Sequence, residues 1–216
     1  MFAAGKAGRR VINATVVNVA TQQNTSNGSK VTILRPTDAT TGDLLVAVVA
    51  VDNGAAALTA VGAAWAKRYS SSDSPALLIA SRALTAGDAG VTSFTFSSGD
   101  GTSRIGGSIL AIRNAAFDSI GSATSVATTP VTISIPEVQS NYGNSMVLAV
   151  YAMEQAFSRS YSIANMSAVS VNADANTPNW GIYNRIVGAS NQAGAFTASA
   201  GAAGRVIAIQ LLLKPT

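Results

Sequence analysis

Leu44-Leu45-Val46-Ala47-Val48-Val49-Ala50-Val51 decides how this chain must fold, and Met146-Val147-Leu148-Ala149-Val150-Tyr151-Ala152-Met153 repeats its message further on. Both runs are almost wholly apolar. The first is closed off by Gly42-Asp43 on one side and Asp52-Asn53-Gly54 on the other. Such a run is far shorter than the ~20 residues of a membrane helix. It is also too continuous for a strand with one wet face, where apolar and polar residues alternate. It reads as a strand covered on both faces. Leu77–Ala80 and Ile207–Leu213 read the same way, whereas Val31-Thr32-Ile33 and Val131-Thr132-Ile133-Ser134-Ile135 alternate and predict one wet face.

Working outward, short Val/Ile/Thr/aromatic runs separated by Gly, Asn, Asp, Ser and Pro clusters predict strands near 11–19, 29–35, 43–51, 65–70, 75–84, 91–97 and 105–113. A second set is predicted near 130–135, 145–153, 166–171, 180–187, 194–199 and 204–213. A helix over Ala55–Ala66 is the alternative at one place, and Gly62 argues against it. The expected class is all-β, an antiparallel sandwich or jelly roll.

The chain also resembles itself. Val31-Thr32-Ile33 returns as Val131-Thr132-Ile133, Leu44–Val51 as Met146–Met153, Pro75 and Arg82 as Pro178 and Arg185, and Ile109-Leu110-Ala111-Ile112 as Val206-Ile207-Ala208-Ile209. Order is kept throughout, which predicts two similar halves of ~100 residues burying apolar strands against each other. The expected organisation is an N-terminal arm and first strand over 1–28, then halves at about 29–114 and 130–213, with Asn114 to Thr129 as a long turn holding one short strand.

Composition narrows the function classes. The 216 residues include 14 Lys plus Arg and 10 Asp plus Glu, for a net charge of +4, with no Cys and no His. Disulfides, thiolate metal sites and His-based nucleophilic triads are therefore excluded. Charged residues are 11% of the chain, against ~25% in ordinary soluble domains. That surface suits an assembly or an extracellular setting. Met1 to Arg10 has no apolar core behind its basic residues and does not read as a signal peptide.

Little chemistry can be assembled from what remains. Gly99-Asp100-Gly101 followed by Gly106-Gly107 lacks the spacing of a phosphate-binding loop. Asp43, Asp52, Asp73, Asp88 and Asp100 sit where turns need a capping carboxylate, and the two glutamates, Glu137 and Glu154, do not fit that pattern. Asp100 could lend oxygens to calcium, but a hairpin turn accounts for it, and no EF-hand spacing follows. Asn13-Ala14-Thr15, Asn24-Thr25-Ser26 and Asn165-Met166-Ser167 match a glycosylation sequon without a secretory context. The expectation is a protein that is not an enzyme and has no cofactor.

Binding candidates are few. Trp65 and Tyr69, four apart in a strand, are expected on one face as core residues. Tyr142 and Tyr161, in polar surroundings, are the candidate surface-contact residues. Lys6, Arg9 and Arg10, in a Gly/Ala-rich stretch, are the candidate docking arm for a neighbouring subunit. This basic group is too small for a nucleic-acid footprint, so neither nucleic acid nor membrane is expected as a partner.

Thr41-Gly42-Asp43-Leu44-Leu45-Val46-Ala47-Val48-Val49-Ala50 followed by Trp65, then Ser72-Asp73-Ser74-Pro75-Ala76-Leu77-Leu78-Ile79-Ala80-Ser81-Arg82 and the closing Ile207-Ala208-Ile209-Gln210-Leu211, resemble a family of phage-encoded virion proteins. The likeness spans most of residues 30–213 and rests on strand patterning. Gly62-Ala63-Ala64-Trp65 lacks the family's usual Pro before its Gly-Trp step. The resemblance implies a tail- or fibre-associated accessory protein of the particle, assembled in the host cytoplasm, homo-oligomeric, with other virion subunits and a host-surface glycan as partners. It carries over no catalytic residue. A capsid decoration protein is the nearest variant. A stand-alone carbohydrate-binding or adhesin module is the alternative from another class.

Overall fold

In the computed structural model, described for residues 12–52, 58–61, 64–99, 101, 103–126, 132–154, 162–174, 178–188, 196–199 and 205–216, the apolar runs become the middle strands of two antiparallel sheets. The first inner sheet is ordered β1 (Thr15–Gln23), β8 (Ile105–Arg113), β3 (Leu44–Val51), β6 (Ala76–Ala83) and β5 (Ala66–Ser70). The second places β17 (Val206–Pro215) beside β12 (Ser145–Met153), then β15 (Asn179–Val187) and β14 (Ser167–Asn172). The other side of β17 is shared by β9 (Ala115–Ile120) and β10 (Thr124–Val126). Two small outer sheets complete the set: β2 (Lys30–Leu34), β7 (Ser93–Ser97) and β4 (Thr59–Val61), and β11 (Thr132–Ile135), β16 (Phe196–Ser199) and β13 (Ser162–Ile163). Every pairing is antiparallel. The described residues hold no α-helix, only a 3-10 turn at Ala86–Asp88, and so no helix long and apolar enough to cross a membrane.

The continuous apolar runs are explained by two cores, one on each face. Leu44, Val46, Val48 and Ala50 join Met146, Leu148, Val150 and Ala152 in the core shared by the inner sheets. Leu45, Ala47, Val49 and Val51 turn the other way, onto Val31, Ile33, Phe94 and Phe96 of the first outer sheet. Val147, Ala149, Tyr151 and Met153 turn likewise onto Ile133, Ile135 and Ile163. Each Val, Leu or Ile fully buried in this way stabilises by roughly 1.5–3 kcal/mol, so these cores outweigh any single loop interaction. The alternation predicted for Val31-Thr32-Ile33 is seen as buried, exposed, buried.

Registers match in detail between the inner sheets. In β1 the pairing slips between Val16 and Asn18, leaving Val17 as the bulged residue, and in β9 it slips between Phe117 and Ser119, leaving Asp118. In β5 the extra residue is Arg68, and in β14 it is Val169. Arg82 stands opposite Leu45, and Arg185 opposite Val147. Two expected correspondences are displaced. Val31 and Ala60 both stand opposite Phe96, and Ile133 and Ile163 both stand opposite Ala198, so Ile133, not Val131, answers to Val31. Ile105 pairs with Val51 and Val206 with Met153, so Val206 answers to Ile105 and not to Ile109. A Val/Ile/Ala run is nearly self-similar, and its sequence match slides easily along the strand.

Three further expectations change. The stretch 114–129, expected to be largely a turn, carries β9 and β10. Residues 59–61, within the alternative helix, form a strand paired to β7. Trp65 and Tyr69 do not share a face: the bulge at Arg68 reverses the alternation. Trp65 packs edge-on against Phe94 and Phe96, at 5.3 and 5.5 Å between ring centres, while Tyr69 packs on the core between the inner sheets.

Candidate functional site

The carboxylates are tied into the backbone. Asp43 accepts hydrogen bonds from the Thr40 amide (2.9 Å) and hydroxyl (3.1 Å), and both its oxygens are held by Arg113, each at 3.0 Å. Burial alone would push its carboxyl up, but Arg113 and Thr40 outweigh this and hold it below the usual carboxylate range. Asp88 repeats the device, taking the Thr85 amide and hydroxyl at 2.9 Å each, with Arg82 as its ion partner. The Thr85 bonds, amide first, lower its pKa against the effect of burial. Asp52 accepts the Arg104 amide at 2.9 Å, and Glu154 accepts the Arg205 amide at 3.3 Å. Glu154, which looked unassigned in sequence, therefore closes the end of β12 as Asp52 closes the end of β3. Ser74 donates to Glu154 Oε1 at 2.7 Å and so joins these two strand ends.

The inner sheets also meet through a polar seam. The Trp180 indole N–H donates to Ser108 Oγ at 2.9 Å, which lies 2.8 Å from Ser170 Oγ and 3.0 Å from Thr21 Oγ1. Gly106 makes room for that indole, because a Cβ there would lie 2.9 Å from Trp180 Cζ3. The Gly106-Gly107 pair is a packing device.

Of the candidate contact residues, Lys6, Arg9, Arg10 and Tyr161 lie outside the described residues. Tyr142 is exposed, with Lys214 Nζ 5.1 Å from its ring centre, so one face of the ring is already occupied. Its backbone is pinned by Ser140 Oγ, which accepts the Tyr142 amide at 3.1 Å, and by Ser145 Oγ, which donates to its carbonyl at 3.1 Å. Tyr142 is a fixed ring at one end of the second inner sheet.

A concave feature among the described residues lies elsewhere. Between the edges of β4 and β5 a cleft of about 260 Å3 is lined by Leu58, Thr59, Ala60, Trp65, Lys67, Leu78 and Ala80. Leu78 and Ala80 come from β6, Trp65 forms an aromatic wall, and Lys67 and Thr59 are exposed. The sequence favours a core role for Trp65 over sugar stacking, and the structure gives it both a core contact with Phe94 and Phe96 and a place in this lining. The cleft arises from the smallness of Ala60 and Ala80, which no motif marks.

Among the described residues no group of three or more Asp, Glu, His or Cys gathers where it could hold a metal ion. No protein-family model, curated protein or solved structure matches this chain.

Proposed function

We propose that this chain is a non-enzymatic structural protein of a phage particle, tail- or fibre-associated, that attaches to neighbouring subunits and presents loops and clefts to a host surface. In this reading each inner sheet and its outer sheet form one β-sandwich, and the chain is that sandwich duplicated, with the copies joined face to face. Matching strand order, matching bulges and the paired Asp52–Arg104 and Glu154–Arg205 closures support the duplication. The observation that carries the non-enzymatic reading is the placement of Asp43, Asp52, Asp88 and Glu154, each of which binds backbone amides at a turn or strand end. The low charge, and a strand pattern that resembles that of virion proteins, support the particle setting.

Labelling purified particles with an antibody to this chain tests the proposal. Label on the tail or fibres is the expected result, regular label over the capsid would make it a decoration protein, and absence from particles would overturn the reading. A second reading, a free-standing carbohydrate-binding module, is favoured by one feature, the cleft walled by Trp65.

A further inference from the structure

We infer that the Trp65 cleft is a binding site for a single carboxylate-bearing sugar ring, with Trp65 as the stacking surface and Lys67 as the anion partner. This goes beyond the particle reading, because the site would bind its ligand wherever the protein resides.

Comparison of the two inner sheets carries the argument. Ala80 lies opposite Ala47 in the first and Tyr183 lies opposite Ala149 in the second, at the same place in register. Ala60 and Ile163 correspond similarly, opposite Phe96 and Ala198. In the second set of sheets the space is closed. Tyr183 and Ile163 are 7% and 4% exposed within the core, and the Tyr183 ring stacks on Tyr151. Met166 stands where Trp65 does, packed on the same core, and Ala168 stands where Lys67 does. Among the described residues, the second-half counterparts Tyr183, Ile163, Met166 and Ala168 supply neither the open volume, nor the indole, nor the cation.

The chemistry of the lining selects the ligand. Lys67 is exposed and makes no hydrogen bond or ion pair with the described residues. It stands over a floor of Leu58, Leu78 and Ala80. An indole face favours a ring with C–H groups on one side, the exposed Thr59 hydroxyl can serve a sugar hydroxyl, and the ammonium favours a carboxylate. A cleft of about 260 Å3 is below the usual 300–1,000 Å3 of drug-sized pockets and suits one ring, not a chain.

The test is a titration of the full chain with glucuronic acid and with N-acetylneuraminic acid, against glucose and galactose, followed by tryptophan fluorescence and saturation-transfer NMR. Trp180 is fully buried, so a fluorescence change reports Trp65. The expected result is saturable binding of at least one acidic sugar. Lys67→Ala should weaken it about 10- to 100-fold, as for loss of a charge-assisted contact. Ala60→Ile, which imports the residue of the second set of sheets, should abolish it. Because Ala60 is only half-buried and Lys67 makes no hydrogen bond or ion pair with the described residues, both variants should keep the wild-type melting curve. No binding of either acid, equal binding of the neutral sugars, or unchanged binding in both variants would each overturn the assignment. Particle labelling plays no part in this outcome.

Discussion

Lys214 covers the Tyr142 ring at the place in the second inner sheet where Arg113 grips Asp43 in the first. Arg113 follows Ile112, opposite Leu44, and Lys214 follows Leu213, opposite Met146. One ladder end is therefore closed by a two-pronged ion pair, the other by a cation over a ring. Asp43 is 2% exposed, so Asp43→Ala leaves the Thr40 amide and hydroxyl without their acceptor and should cost about 1–3 kcal/mol. Tyr142→Ala, at an exposed ring, should cost under about 1 kcal/mol. Urea denaturation of the two variants checks this, and equal costs would show that the two closures are energetically alike.

The pH dependence follows from composition and from these carboxylates. With no histidine, no side chain titrates between pH 5 and 8 at its ordinary pKa, so stability should be flat across that range. Asp43 and Asp88 have lowered pKa values in the fold. Their contribution is fully present above the unfolded value of about 3.9 and is lost as pH falls through the lower folded values. Thermal melts should therefore drop only below about pH 4. Asp43→Asn, which has no such carboxylate to protonate, should show a shallower acid drop.

A volume exchange can be tested directly. Val49 faces Leu78 across β3 and β6, and Tyr151 faces Gly181 at the same register in β12 and β15. A Cβ on Gly181 would come within 2.3 Å of the Tyr151 ring. Gly181→Leu alone should overpack the core by about 1–3 kcal/mol or more, and Tyr151→Val alone should leave a cavity costing a few kcal/mol. The double variant recreates the Val–Leu pair and should be clearly more stable than the sum of the two single losses. Strict additivity in a denaturation cycle would refute the exchange.

Gly106 and Trp180 form a second such pair, across the core between the inner sheets. Gly106→Ala forces its new methyl against the indole and should destabilise by about 1–3 kcal/mol. Trp180→Phe frees that space but leaves Ser108 without its indole donor, so it should also destabilise. Combining them should relieve part of the Gly106→Ala cost, as differential scanning calorimetry can measure.

Much of the fold was legible because the inner strands are covered on both faces, which forces long apolar runs that no turn or helix imitates. Of the strands that escaped notice, Thr59–Val61, Thr124–Val126 and Ser162–Ile163 are two or three residues long, too short to show a period, while Ala115–Ile120 is six residues long but carries Asp118 and Ser119 among its apolar residues and a bulge at Asp118. Bulges are the second blind spot. One extra residue at Arg68 turns a face-sharing pair into residues of two different cores, and nothing in Ala66–Ser70 announces it. The cleft was hidden for a different reason. Its signal is the contrast between Ala80 and Tyr183, visible only once the two strands are in register.

The position of β17 has a consequence for how the chain is made. It follows β12, β14 and β15 in the sequence yet lies between β12 and the β9–β10 edge, so β9 and β10 have no ladder in the second inner sheet until residues 206–215 have emerged. By then β1 to β8 are complete, with Leu44, Val46, Val48, Ala50, Leu77, Ile79, Leu110 and Ile112 waiting for the sheet that covers them. At ~5–20 residues per second of synthesis, that apolar face stands open on the ribosome for several seconds. During that interval a nascent chain on a neighbouring ribosome could offer the same kind of surface. That interval, and not the finished fold, is where this chain is most exposed to aggregation.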